Sequence, residues 1–110
     1  MRRAVSLLAV LVLAGCGGAA KHAEPPLPHA LALRWAQQAD AIAAADPCAA
    51  HRRAAALRME VILAVNKREI PQRQLEPLTS KVNALAAHGA CAPVQREAHD
   101  VAAWLRNSSS

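Results

Sequence analysis

The chain has 110 residues and a net charge of +5, from 13 Lys and Arg against 8 Asp and Glu; 54% of it is hydrophobic, yet it holds two Trp and no Tyr or Phe. That length bounds it to one domain. The scarcity of aromatic side chains disfavours a sizeable small-molecule site, since aromatic and bulky apolar groups usually line such pockets.

Arg2 and Arg3 form a positive n-region, Ala4 to Ala14 an apolar h-region, and Ala14-Gly15 the small-residue pair that a signal peptidase needs before its cut. The apolar run falls short of the roughly 20 residues of a membrane-spanning helix, which favours an export signal over a permanent span. With Cys16 directly behind it, Leu13-Ala14-Gly15-Cys16 resembles the lipobox of bacterial lipoproteins. The resemblance implies cleavage of residues 1–15, a diacylglycerol thioether on Cys16, and two or three acyl chains at the new N-terminus. Two chains suffice for stable anchoring, where one gives only marginal binding. It also implies export, and a chain held on the outer face of the cell membrane, or on an outer membrane where one exists; Gly17 stands where an Asp would usually retain a lipoprotein at the inner membrane.

Removing the signal takes Arg2 and Arg3 with it, so eleven basic residues face eight acidic ones and the net charge falls to +3. A mature chain of this size buries only about 60–65% of the surface its unfolded form exposes, so a staple is expected. Residues 16–28, with Gly17, Gly18, Pro25, Pro26 and Pro28, show no period that buries a face and read as the lipidated cysteine and a tether.

Four helical segments follow in residues 29–106. In the first, His29 to Ala45, Leu31, Trp35, Ala39 and Ile42 recur at steps of three and four. Asp46-Pro47 starts the second: Asp46 suits an N-cap, and Pro47 suits the first helical position, where its missing N–H costs nothing. This helix, Pro47 to Lys67, carries Ala50, Ala54, Leu57, Val61, Ala64 and Val65 on one stripe. Met59, Ile62 and Leu63 widen its apolar surface, which makes it the expected central helix. Glu69-Ile70-Pro71 breaks the pattern, because a residue before proline avoids helical geometry.

Leu75, Leu78, Val82, Leu85 and Ala86 mark the third segment. Pro77 inside a helix would remove a hydrogen bond at a cost of about 3 kcal/mol, so the regular helix is expected from Glu76, with Gln72 to Leu75 a separate turn and Gly89 a C-terminal cap. Pro93 opens the fourth, to Arg106, with Val94, Ala98, Val101 and Leu105 inward, and residues 107–110 read as a disordered tail. With no strand-like alternation and short connections, the expected fold is all-α: a small antiparallel bundle of three to four helices behind a signal peptide and tether.

With Cys16 assigned to lipid, Cys48 and Cys91 remain as one pair in an exported chain, the arithmetic of a single disulfide. An antiparallel hairpin of the second and third helices brings them to the same end. A competing pattern is Cys48-x-x-His51 with His88-x-x-Cys91, two thiols and two imidazoles that would suit tetrahedral zinc, or copper. The oxidising compartment favours the disulfide, and no cofactor is expected.

Catalytic constellations are thin. Ser80 and the tail serines sit in no strand-to-helix elbow, and no metalloprotease motif or phosphate loop is present. Glu97 and Asp100, three apart beside His99, fit a solvated helix face better than an acid–base pair. His22 and His29 lie in or next to the tether. Arg52-Arg53 and Lys67-Arg68 are too few for nucleic-acid binding, though the mild positive charge leaves an anionic envelope polymer or an envelope protein as a partner beside the membrane itself. Trp35 and Trp104 are either core residues or exposed anchors for that partner. Ile70-Pro71, Leu75-Glu76-Pro77-Leu78, Val82-Asn83, Leu85-Ala86 and Cys91 together resemble exported helical domains of high-GC bacteria that carry no assigned activity. The expected role is that of a non-enzymatic, lipid-anchored interaction or structural module, the alternative being a surface metal binder.

Overall fold

A computed structural model describes residues 26–109. The expected signal peptide, Cys16 and most of the tether lie outside these residues. Four helices follow one another: α1 (His29–Ala44), α2 (Pro47–Asn66), α3 (Gln72–Ala86) and α4 (Gln95–Ser108). They form an all-α bundle in which α1 packs on α2, α2 on α3, α3 on α4, and α4 returns to α1. Among the described residues there is no strand.

The α1–α4 interface is the most extensive of the four. Its sequence explains why. α1 buries Ala32, Ala36, Ala39 and Ala43 around Trp35 and Ile42, and α4 buries Ala98 and Ala102 beside Val101 and Leu105. Small side chains set the distance between packed helices, so alanine-rich faces let the two backbones come close. In this ring of four α2 is not central: it packs on two neighbours, as α1 does, and the most extensive contact is the one between α1 and α4. α2 buries one line, Ala50, Ala54, Leu57, Val61 and Ala64, while Met59 and Leu63 stay 53% and 52% exposed. Apolar width in a sequence does not fix which side of it finds a neighbour.

Each helix end has a local cause. At the start of α2, the Asp46 carboxylate accepts from the backbone N–H of Cys48 and of Ala49, both at 3.1 Å, and Pro47 fills the first turn. At its end, Arg68 adopts φ 60° and the chain closes a Schellman motif. Arg68 N–H donates to Val65 O and Glu69 N–H to Ala64 O, each at 3.0 Å. A left-handed non-glycine residue is costly, and here the paired bonds hold it.

Three boundaries differ from expectation. α3 runs unbroken from Gln72, so Gln72 to Leu75 is its first turn and Pro77 lies inside the helix. The apolar line Leu78, Val82 and Leu85, buried together with Ile70, offsets the hydrogen bond that Pro77 cannot donate. Gly89 is not a left-handed cap: no described glycine has positive φ, and α3 ends at Ala86 with Ala87 capping it in right-handed geometry. Gly89 instead opens a turn in which Ala92 N–H donates to Gly89 O at 3.1 Å, and its third residue, Cys91, takes φ 68°, the pattern of a type II turn. Pro93 lies two residues before α4, which begins at Gln95.

Both edges of the domain also move outward. Leu27, read as tether, is 1% exposed in the core, and its N–H donates to Ser108 O at 3.1 Å. Asn107 and Ser108, read as tail, belong to α4. The last turn of α4 thus fastens the residue on which the chain enters the bundle.

Candidate functional site

Cys48, exposed in the first turn of α2, is joined to Cys91 in the α3–α4 turn by a disulfide, as the paired cysteines of the sequence suggest. It links ends that the α2–α3 hairpin has already brought together. The two histidines beside the cysteines go elsewhere. His88 Nε2 lies 3.0 Å from Glu97 Oε1, tying the end of α3 to α4. His51 lines an open groove of about 540 Å³ between α2 and α3, with Arg58, Met59 and Asn83 along it. Arg58 Nε donates to Asn83 Oδ1 at 2.7 Å across that groove. Cys48, His51, His88 and Cys91 are therefore not gathered as a donor set: the sulfurs are bonded to one another, and among the described residues no three His, Cys, Asp or Glu side chains converge as a metal site.

The groups considered for acid–base chemistry are spread over α4. Glu97 is half-buried and engaged with His88 through one oxygen, while its other oxygen, Oε2, is buried with no hydrogen-bond partner. His99 and Asp100 are exposed. Ser80 is exposed on α3, Ser108 Oγ donates to Trp104 O at 2.8 Å, and Ser109 Oγ donates to Arg106 O at 3.2 Å. No polar or charged side chain among the described residues is buried in the core.

Trp35 is a core residue, 1% exposed, and this removes it as a surface anchor; its indole N–H has no hydrogen-bond partner. Trp104 is half-buried at the edge of the core, with Lys81 Nζ 5.4 Å from its ring centroid, within the range of a cation–π contact.

Two ion pairs tie α1 to its neighbours. Arg106 on α4 forks onto both carboxylate oxygens of Asp40, and this guanidinium bond, followed by opposing desolvation and the attraction of Arg106 and His99, holds the Asp40 carboxyl below its ordinary value. Arg34 pairs with Glu60 on α2, whose second oxygen accepts from Gln38 Nε2 at 2.6 Å. These contacts border a second groove, about 450 Å³, between α1 and α2, where Leu31, Leu63, Lys67 and Glu69 meet at the end by which the chain enters the bundle.

The feature that sequence reasoning missed is the outward side of α2. Viewed down the helix, Arg52, Ala56, Met59, Leu63 and Lys67 fall on one line opposite the buried stripe. The signal lay in Met59, Ile62 and Leu63, which read as extra core. No helix among the described residues is long and apolar enough to cross a membrane. No family model, curated relative or solved structure matches this chain.

Proposed function

We propose that this chain is a cell-envelope lipoprotein: exported, cleaved before Cys16, held to a membrane through acyl chains on that cysteine, and acting without catalysis as an interaction or structural module. The observation that carries the reading is the division of the three cysteines. Cys16 follows an export-type segment at the lipobox position, and the other two form the Cys48–Cys91 disulfide, a bond that persists in oxidising compartments and is rare in the cytosol.

The bundle supports the non-catalytic part. Its interior is apolar throughout the described residues, and the titratable groups sit on the surface, where water competes for every substrate contact. Cys16→Ala is the test, followed by fractionation of cells expressing the full chain. The variant is expected to accumulate uncleaved or to leave the membrane fraction; normal cleavage with unchanged membrane retention overturns the proposal.

A further inference from the structure

We infer that the outward face of α2 is a docking surface for an anionic lipid bilayer, on which Met59 and Leu63 enter the headgroup boundary while Arg52, Arg53 and Lys67 meet lipid phosphates. The inference deepens the lipoprotein reading, since the proposed anchor is what keeps the surface within reach.

Charge distribution is the first support. From Pro47 to Arg68 five basic residues face one acidic residue, Glu60, whereas the other described residues carry five basic and six acidic. The whole positive excess of the described domain therefore lies on α2 and its closing turn. Glu60 is engaged by Arg34 and Gln38, so its charge does not oppose the cluster.

Second, the same helix carries two of the three large hydrophobic side chains left exposed, Met59 and Leu63. They lie one helical turn apart, between Arg52 on one side along the axis and Lys67 on the other, with Arg53 at the flank toward α1 and Arg58 turned to Asn83 on α3. An apolar line inside a basic border is the arrangement of helices that lie in the plane of a membrane interface. An anionic polysaccharide would satisfy the arginines and leave Met59 and Leu63 in water. A second copy of this face would bring like charges together.

Third, position. Cys16 precedes Leu27 by eleven residues, a span of at most about 40 Å. Leu27 enters at the end of the bundle where Leu31, Leu63 and Lys67 share a groove. The basic, apolar half of α2 is thus next to the point of attachment. Two exposed apolar side chains are a weak contact alone, but tethering turns docking into an intramolecular step at high effective concentration.

Met59 supplies the readout, because Met1 belongs to the signal and Met59 is the one methionine after it. The full chain, purified from membranes, is reconstituted on phosphatidylcholine vesicles with or without phosphatidylglycerol, and Met59 oxidation by hydrogen peroxide is followed by mass spectrometry. Oxidation is expected to slow several-fold only on phosphatidylglycerol vesicles, and high salt is expected to restore it. Each basic residue near an anionic surface is worth about fivefold in binding. Arg52→Gln with Lys67→Gln, both exposed, is therefore expected to weaken docking about thirtyfold at unchanged helicity.

Equal oxidation on both vesicles, with Cys16 acylated, overturns the docking and leaves the anchor standing. An unacylated chain whose Met59 is still protected on added phosphatidylglycerol vesicles overturns the anchor alone. Protection that ignores lipid charge and rises with protein concentration assigns the face to a second copy, and protection that needs a co-purifying acidic protein assigns it to that protein. Either overturns the lipid assignment.

Discussion

Breaking the Cys48–Cys91 bond removes the one covalent constraint of the described domain, and its effect follows from chain length. The two residues are 43 apart, and closing a loop of that size in the unfolded chain is worth about 4 kcal/mol on the chain-entropy account. A domain of about 80 residues has a total stability of only about 4–12 kcal/mol, so the crosslink supplies a third of it or more. At about 4–8 °C per kcal/mol, the expected fall in melting temperature is about 15–30 °C. The assay is thermal unfolding by circular dichroism of the oxidised protein against Cys48→Ser with Cys91→Ser. Serine keeps a Cβ at the left-handed position 91, so the comparison isolates the crosslink from the backbone strain there. A difference of less than about 3 °C would refute the argument that this bundle depends on a staple.

Three further outcomes follow from the helix ends and the ion pairs. Pro77→Ala restores a backbone donor inside α3 and should raise stability by about 1–3 kcal/mol, read as a higher urea midpoint. Arg68→Gly relieves the left-handed residue of the Schellman motif and should stabilise by about 0.5–1 kcal/mol in the same titration. Asp40 titrates below its ordinary value of 3.8 because Arg106 donates to it. The stability this linkage contributes is present in full above the ordinary carboxylate range and disappears as pH falls through the lowered folded value. The pair is solvent-exposed and its contribution small, so Arg106→Gln should lower the neutral-pH urea midpoint slightly, and the difference from the parent protein should close as Asp40 becomes protonated in acid.

The order and number of helices were legible because burial leaves a periodic trace: Trp35, Ala39 and Ile42 on α1, and Ala50, Ala54, Leu57, Val61 and Ala64 on α2, stand in the sequence at the spacing the bundle uses. So was the disulfide, since a hairpin of α2 and α3 brings Cys48 and Cys91 to one end. What the sequence concealed depended on tertiary context. Pro77 obeys a local rule that would start the helix at Glu76, and packing of Leu78, Val82 and Leu85 overrides it. Gly89 was the natural candidate for a left-handed turn, yet Arg68 and Cys91 hold that geometry, because hydrogen bonds and the crosslink fix them there. Leu27 looked like tether because only the far end of the chain, Ser108, gives its backbone a partner. Met59 and Leu63 looked like core because amphipathic width is visible in a sequence and the absence of a neighbouring helix is not.

Whether Cys16 is the lipidated first residue of the mature protein is read by intact mass analysis of the chain extracted from the cell envelope. The expected mass is that of a chain beginning at Cys16, heavier than its amino-acid sequence by a diacylglycerol thioether with or without a third, N-terminal acyl chain, and lighter than fully reduced protein by the two hydrogens of the Cys48–Cys91 bond. A free thiol at Cys16, or a mature chain that begins at another residue, would contradict it.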